Sequence, residues 1–323
     1  MTKKNNYALL ILGLTLLTGL TIFLIGSKDI ENVKIQHPVV SSTTVSVSIP
    51  ASVNFCGERI SLERLDMRER FDREINSFTY FHSTTLLYFK RANRYFPMIE
   101  PILKENGIPD DFKYLCVIES NLDTRALSPA KAAGLWQFME ATGKNYGLEI
   151  TTEVDERYHI EKSTRAACKY LKEAYGRYSN WVDVAASYNA GMGRISSSMK
   201  EQLVDSAFDL LLVSETSRYV FRIMAIKEIF ENSKKYGFVL RKENLYPAVS
   251  VQLKEVSSDI TNLALFAKEN NINYMQLKDY NVWLRSTKLK VNPGKTYQIA
   301  IPKKEDLFYD EHKVKVHNES WIN

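Results

Sequence analysis

The chain has 323 residues, of which 45% are hydrophobic and 25% charged, and its net charge is +5. This length predicts two domains with accessory segments, and the composition is that of a globular protein. The small basic excess favours solubility, or attraction to an anionic polymer. The sequence has no basic run interleaved with aromatic residues, so it predicts no nucleic-acid partner.

The cysteines and histidines do not form a metal-binding or redox motif. The three cysteines, Cys56, Cys116 and Cys168, include no Cys-x-x-Cys pair, and the five histidines lack the spacing of a zinc site. Cys116 and Cys168 lie among apolar residues in helical patterns, which favours buried free thiols over a disulfide framework. We therefore expect neither a metal ion nor a cofactor.

The first residues have the pattern of an export segment. Lys3 and Lys4 precede an apolar stretch over residues 7–26, which is long enough to cross about 30 Å of hydrocarbon as a helix. Lysines on this side favour a cytoplasmic N-terminus. Residues 1–28 are therefore predicted to be an uncleaved inner-membrane anchor, with the rest of the chain in the periplasm. The alternative is a cleaved signal peptide, although Leu24 is unsuited to the −3 position of a cleavage site.

The next segments are predicted to connect this anchor to a folded domain. Residues 29–60 are predicted to be a linker, because a stretch of alternating Ser, Thr and Val is bounded by Pro38 and Pro50. Residues 61–94 are predicted to be a helical lead-in. Its first helix would place Leu62, Leu65 and Phe71 on one face, and its second would span residues 83–92.

Residues 95–236 are predicted to form a helical domain. One helix, over residues 95–106, is expected to end at Gly107, and Pro109 with two aspartates is expected to begin the next. Apolar spacing predicts three further helices, which span residues 163–176, residues 181–190, and a long segment from Ser214 to residue 230.

The pattern changes after Gly237. A strand, two short helices and a second strand are predicted over residues 249–253, 260–270, 274–280 and 296–301. Residues 246–303 are thus predicted to form a small α+β module of βααβ order, and residues 304–323 a charged tail.

Four short motifs follow one another in the helical domain. They are Glu119-Ser120, Gly-Leu-Trp-Gln at 134–137, Asn-Tyr-Gly at 145–147 and Tyr-Asn-Ala-Gly at 188–191. Glu119 ends an apolar helix, where the helix macrodipole and desolvation by apolar neighbours both favour a neutral carboxyl group. A carboxylic acid that is neutral near pH 7 is suited to protonating a glycosidic oxygen.

In this order and at these spacings, the motifs resemble the lytic transglycosylase domain of the soluble-lytic-transglycosylase superfamily, of the membrane-bound lytic murein transglycosylase D type. The resemblance covers about residues 95–230. The C-terminal module is similar to a LysM peptidoglycan-binding module, without the usual Gly-Asp-Thr near its first helix. The resemblance implies a mainly α fold, with a lysozyme-like α-helical catalytic domain followed by the small βααβ module.

The resemblance also implies an activity. Such an enzyme cleaves the MurNAc-β-1,4-GlcNAc bond of peptidoglycan glycan strands without water and leaves 1,6-anhydroMurNAc ends. In this family one glutamate, matched here by Glu119, protonates the leaving oxygen and then acts as a base on the C6 hydroxyl of the sugar. Because that hydroxyl is already held beside C1, no bound water is needed.

The resemblance suggests substrate-binding roles for several further residues. It implies that Ser120 orients the substrate or the glutamate, that Gln137 bonds sugar amides, and that the Tyr188 hydroxyl bonds the catalytic carboxyl. The full set of substrate-binding candidates is Ser120, Gln137, Phe138, Tyr146, Tyr188, Asn189, Glu215 and Tyr219.

Structural roles remain open for some of these residues. Ser120 could simply end its helix, Trp136 and Phe138 could pack in the core, and Glu215 could serve as a helix-start acid. Asp123 is predicted to have a loop or cap role rather than to be a second catalytic carboxylate. Two other functions remain open: a muramidase that hydrolyses the same bond, and a non-catalytic peptidoglycan-binding scaffold. The sequence identifies no protein partner.

Overall fold

The computed structural model describes residues 44–323, so the predicted anchor over residues 1–28 lies outside the described part. Within residues 44–323, no helix is both long and apolar enough to cross a membrane. Residues 46–323 form one unit that is mainly helical and carries two small antiparallel sheets. The predicted mainly α fold with a small α+β module is confirmed.

A β-hairpin occupies the end of the segment predicted to be a linker, so that prediction is wrong after residue 51. Strand β1 spans Ser52–Phe55 and pairs antiparallel with β2, which spans Glu58–Ser61. Gly57, with φ of 86°, supplies the left-handed backbone of a two-residue turn. Val53 and Phe55 are buried, so the hairpin adds to the core.

Two long helices follow the hairpin. Helix α1 spans Leu65–Tyr80 and α2 spans His82–Glu105. The two helices predicted over residues 83–92 and 95–106 are therefore one, although Pro97 and Pro101 each remove a backbone donor inside it. Burial of the apolar face of α2 compensates for the lost bonds. Leu65, predicted to face the core, is 69% exposed.

Six more helices complete the helical region, and their bounds are Lys113–Ser120 (α3), Glu140–Asn145 (α4), Ile160–Tyr178 (α5), Trp181–Ala190 (α6), Met192–Gln202 (α7) and Ser214–Glu231 (α8). Helix α6 has the predicted bounds, because the side chain of Asn180 caps its first turn and Gly191 ends it. Helices α4 and α7 were not predicted. Helix α4 has only six residues and is largely exposed. Helix α7 has a short apolar stripe of Met192, Ile195 and Met199 that packs against the core, and this signal was missed.

Helix α8 lies at the centre of this region and packs against α1, α3 and α6. Its predicted apolar stripe is buried as expected, and its members are Val220, Ile223, Met224, Ile226, Ile229 and Phe230. Because α8 contacts α3, side chains from its first turns can reach the end of α3, where Glu119 lies.

The C-terminal module has the predicted order of elements. Strand β3 spans Val251–Val256 and pairs antiparallel with β4, which spans Tyr297–Pro302. Between them lie α9, Leu263–Glu269, and α10, Tyr274–Tyr280. The buried Asn281 follows α10, and its side-chain amide exchanges two hydrogen bonds with the backbone of a residue in β4.

The module shares a hydrophobic cluster with the helical region. Val154 and Tyr158, which precede α5, belong to the same buried cluster as Leu284 of the module. The backbone N–H of Asp155 also donates to the carbonyl of Trp283 at 2.9 Å. The module is therefore held by main-chain and apolar contacts rather than joined only by a connecting segment.

The C-terminal tail, predicted only to be charged, returns to the core of the helical region. Trp321 is buried, and its indole Nε1–H donates to the carbonyl of Phe230 at 3.0 Å. The side chain of Asn93 on α2 bonds the backbone of both Lys315 and His317. One aromatic residue, Trp321, therefore attaches this charged segment to the core, and the composition of the segment does not predict this contact.

Candidate active site

Glu119 lies in the last turn of α3, at the negative end of the helix dipole. Its side chain is surrounded by the core and is half-buried. Burial raises the pKa of the Glu119 carboxyl to about 7. The sequence prediction of a carboxyl group that is partly neutral at neutral pH therefore agrees with the structure.

The hydroxyl of Tyr219, on α8, donates a hydrogen bond to Oε1 of Glu119. Tyr219 is itself buried, so its ring fixes the direction of the bond. We expected this contact from Tyr188, whose hydroxyl instead donates to the carbonyl of Trp136 at 2.8 Å. The expected hydrogen bond from Tyr188 to the carboxyl is therefore wrong in this structure. Burial, and after it the nearby charge of Glu119, raises the pKa of Tyr188.

Two charged side chains of α8 act on Glu119 in opposite directions. The guanidinium of Arg222 lowers the pKa of Glu119, and the carboxylate of Glu215 raises it. The Tyr219 hydrogen bond also lowers this pKa, because it favours the ionised form. Burial is the largest of these effects, so the pKa of the Glu119 carboxyl remains raised, at about 7.

Opposite shifts of one pKa are expected from two variants. Tyr219→Phe removes a hydrogen bond that stabilises the carboxylate, so the pKa of Glu119 should rise above its value of about 7. Glu215→Gln removes a negative charge, so this pKa should fall. The alkaline limb of the kcat/KM pH profile, which reports the protonated acid, should move to higher pH in the first and to lower pH in the second. Glu201→Gln, an exposed change on α7, should leave the limb in place; shifts of the same sign in both variants would contradict this assignment.

The hydroxyl of Ser120 is bonded within its own helix and not to Glu119. It donates to the carbonyl of Cys116 at 2.8 Å, and the side chain is buried. The expected role of Ser120 in orienting Glu119 is not supported by this geometry, since a helix-ending serine commonly bonds back to its own turn.

A tight turn follows Glu119 and Ser120. Asn121 and Leu122 both have left-handed backbones, with φ of 55° and 54°. The hydroxyl of Tyr88, on α2, donates to Oδ1 of Asn121 at 2.7 Å and supports this strained turn. Asp123 accepts a hydrogen bond from the backbone of Arg125 at 2.9 Å, which agrees with its predicted loop role.

The Gly-Leu-Trp-Gln motif forms a loop that packs closely on the segment before α5. Gly134 has φ of 76°, and a Cβ atom there would lie 1.9 Å from the carbonyl oxygen of Arg157, so only glycine fits. The side-chain amide N–H of Gln137 donates to the carbonyl of Gly134 at 2.8 Å. Within residues 44–323, its amide oxygen has no hydrogen-bond donor.

The two aromatic residues beside Gln137 are buried. The indole N–H of Trp136 donates to the Thr164 hydroxyl at 2.9 Å, so Trp136 has the core role that we considered. The carbonyl of Phe138 accepts from the guanidinium of Arg157 at 3.1 Å. Arg157, which was not predicted as a site residue, thus holds the backbone of this loop by a hydrogen bond.

Four aromatic rings, each in contact with two of the others, form a cluster beside this loop. Phe138 lies 6.4 Å from Tyr146 and 6.2 Å from Tyr188, measured between ring centroids. Tyr170, which was not predicted, lies 5.5 Å from Tyr146 and 5.1 Å from Tyr188. The Tyr146 hydroxyl donates to Glu173 at 2.8 Å. The cluster thus brings together three of the predicted site residues.

The two remaining candidates, Asn189 and Glu215, lie on α6 and α8 and are held less firmly than the other site residues. Asn189 is half-buried near the end of α6, and Glu215 is exposed in the first turn of α8. In the described part of the chain, neither side chain forms a hydrogen bond.

No group of three His, Cys, Asp or Glu side chains within residues 44–323 could hold a metal ion. Cys116 and Cys168 are buried and free, as predicted.

Comparison with known proteins identifies both regions. Residues 96–206 match the family model of the transglycosylase SLT domain, and residues 252–305 match that of the soluble lytic transglycosylase C-terminal LysM-like domain. The chain therefore carries an SLT transglycosylase domain followed by a LysM-like domain, as the motifs and the βααβ pattern predicted.

Among curated proteins, the chain is similar to membrane-bound lytic murein transglycosylase D of Escherichia coli K12, with 30% identity over 77% of this chain. The chain spans 55% of the length of that relative. It is 31% identical to the peptidoglycan transglycosylase gp16 of phage T7 over 36% of this chain and 9% of that protein. The crystal structure of the 70 kDa soluble lytic transglycosylase of Escherichia coli aligns with 43% of this chain and 24% of its own, at 20% identity and a TM-score of 0.37.

Proposed function

We propose that this protein is a peptidoglycan lytic transglycosylase that cleaves the MurNAc-β-1,4-GlcNAc bond and leaves 1,6-anhydroMurNAc ends. One observation carries the proposal. A half-buried carboxyl group, that of Glu119, has a pKa of about 7 and a tyrosine hydroxyl on one oxygen, in a domain matched by the SLT model. A group with this pKa is present in both protonation states at neutral pH, which suits a residue that acts first as an acid and then as a base.

In the proposed reaction, protonated Glu119 gives its proton to the leaving glycosidic oxygen. The resulting carboxylate then takes the proton of the C6 hydroxyl as that oxygen attacks C1 of the same sugar. The hydrogen bond from Tyr219 holds one oxygen of Glu119 and stabilises the carboxylate formed between the steps. The other oxygen is left for proton transfer.

The neighbouring side chains are suited to hold a glycan. The Gln137 amide N–H groups are directed to backbone carbonyls, so its amide oxygen is available to accept from an N-acetyl N–H. Tyr146 and Tyr188 of the aromatic cluster offer apolar ring surface, and Asn189, which follows Tyr188 in the chain, offers an amide. We assign substrate contact to these residues and to the main chain at Phe138, and a supporting role to Ser120.

Glu215 is the observation that favours a muramidase as the second candidate. Its carboxylate acts on Glu119 and could direct a water molecule in place of the intramolecular hydroxyl. Its exposed position at a helix N-terminus, where the dipole already stabilises an acid, favours the structural role instead.

The products separate these two reactions. Digestion of purified peptidoglycan by the wild-type protein should release muropeptides that are lighter by one water than hydrolysis products, as measured by mass spectrometry. They should also resist borohydride, because C1 is closed in the anhydro ring. Products that contain the water and are reduced by borohydride would identify a muramidase. If no products form at all, the protein would be a non-catalytic peptidoglycan-binding scaffold.

We also propose that the protein works in the cell envelope, on the periplasmic side. Lys3, Lys4 and the apolar residues 7–26 support an anchor in the inner membrane, and the curated relative is named as membrane-bound. Cell fractionation with N-terminal sequencing tests this: a soluble protein that starts near Ser27 would show a cleaved signal peptide.

The LysM-like module is proposed to bind glycan, and its removal should affect binding more than chemistry. Ser250 and Lys303 flank the module and are joined by a backbone hydrogen bond of 2.9 Å, so residues 251–302 can be replaced by a short Gly-Ser connection that keeps the tail. In a Glu119→Gln background, which preserves the sacculi, this deletion should reduce co-sedimentation with insoluble peptidoglycan. The same deletion with intact Glu119 should cleave short soluble glycans with a smaller loss.

Unchanged co-sedimentation would remove the binding role of the module. Some loss of stability is expected in either case, because the deletion uncovers Val154 and Tyr158. The thermal midpoint of each deletion protein should therefore be measured beside its binding, so that unfolding is not counted as lost affinity.

A further inference from the structure

Arg222 is a charged residue of the site that the proposed reaction does not use. It lies on α8 three residues after Tyr219, and residues at this spacing share a helix face. Its side chain is half-buried, and its Cζ lies 5.9 Å from the ring centroid of Phe78. Among residues 44–323, no acceptor forms a hydrogen bond or an ion pair with its guanidinium, which carries five N–H donors.

Nearby arginines are committed to protein partners. Arg218, on the same helix, makes two hydrogen bonds to the buried carboxylate of Glu74, at 2.6 and 3.0 Å. Arg91 donates to the carbonyl of Asn121 at 2.9 Å and lies 3.7 Å from Asp123. Arg222 thus differs from its neighbours, because its positive charge is not balanced by a carboxylate within ion-pair distance in the described chain.

The position of this free charge is beside the reacting group. The guanidinium acts electrostatically on Glu119 and on Tyr88, the residue that supports the turn after the catalytic helix. A half-buried cation with unused donors is a site for an anion, and a guanidinium matches a carboxylate with two parallel hydrogen bonds.

We infer that Arg222 binds a carboxylate carried by the muramoyl residue at the cleavage site, and so makes the enzyme selective for anionic glycan strands. The inference rests on the proposed function. In peptidoglycan only the muramoyl sugar bears a carboxyl group, on its lactyl ether, and this group is free where the stem peptide is absent. Where a stem is attached, the carboxylates belong to the peptide; both sources present the same chemistry to Arg222.

Three substrates separate the sources. They are glycan strands without stems, which carry the free lactyl carboxylate, the same strands after conversion of this group to the neutral methylamide, and strands that retain their stem peptides. Each is cleaved by the wild-type protein, by Arg222→Gln, by Arg222→Lys and by Arg68→Gln, an exposed arginine of α1 that serves as the matched control.

Arg222→Gln should lower kcat/KM by roughly 10–150-fold on strands that carry the recognised carboxylate, the size expected for a charge-assisted hydrogen bond. It should change kcat/KM on the methylamide strands by less than about threefold. Arg222→Lys should retain part of the preference for strands that carry the carboxylate, because lysine keeps the positive charge but cannot form the two parallel hydrogen bonds of a guanidinium. A loss on stem-free strands identifies the lactyl carboxylate, and a loss confined to stem-bearing strands identifies the peptide.

An equal loss on all three substrates would overturn the inference, because Arg222 would then act through the pKa of Glu119. An unchanged rate on all three would overturn it as well. Should Arg222→Gln fail to fold by circular dichroism, the same comparison is made with Arg222→Lys. The proposed function is judged separately, by the anhydro products of the wild-type protein and the inactivity of Glu119→Gln on every substrate.

Discussion

Glu119→Gln should abolish turnover of peptidoglycan while leaving the fold intact. The substitution keeps the shape of the side chain and its oxygen for the Tyr219 hydroxyl, but it removes the transferable proton. General acid–base catalysis contributes roughly 10²–10⁴-fold, and one group serves both steps here, so the loss in kcat should reach the upper end of this range or exceed it. The release of soluble muropeptides from labelled sacculi measures this loss.

The stability of this variant provides the internal control. An acid at a helix C-terminus opposes the dipole, so its replacement should leave the free energy of unfolding unchanged or slightly higher. Glu69→Gln, the same chemical change at an exposed position of α1, should retain full turnover. Near-normal turnover by a folded Glu119→Gln protein would refute the assignment of the catalytic residue, whatever the products of the wild type.

Trp321→Ala should cost about 3–5 kcal/mol of unfolding free energy, as is typical when a buried aromatic side chain is truncated. The Trp321 ring lies 5.4 Å from both Phe89 and Phe230, between centroids. Its N–H also satisfies the carbonyl of Phe230, one of the last carbonyls of α8, which lack partners within the helix. The midpoint of denaturant unfolding, followed by circular dichroism, measures the effect.

Two variants define the origin of this loss. Trp321→Phe keeps most of the ring contacts and removes only the hydrogen bond, so its loss should be clearly smaller. Phe308→Ala truncates an aromatic residue of the same segment that is 70% exposed, and it should change the unfolding free energy by less than about 0.5 kcal/mol. Equal effects of Trp321→Ala and Phe308→Ala would show that the tail does not contribute to the core.

The parts of the structure that depend on local sequence were predicted well. Helix α6 has the predicted bounds because an Asn cap and a glycine stop flank it, and the buried stripe of α8 follows from its periodic apolar residues. Strand, helix, helix and strand follow in the predicted order after residue 246. Helix α2 was predicted incorrectly, as two helices with a break between residues 92 and 95, whereas the structure has one continuous helix that contains Pro97 and Pro101.

The sequence by itself determined the class of domain and singled out Glu119 as the candidate acid, because Glu119, its helix end and the four motifs are local features. Only the tertiary structure decided which side chains meet the carboxyl. Tyr219 and Glu119 are separated by 100 residues, and the resemblance implied Tyr188 as the partner instead. The choice between these two tyrosines, and the absence of an ion-pair partner for Arg222 among residues 44–323, depend on how α8 packs against α3, which no local pattern encodes.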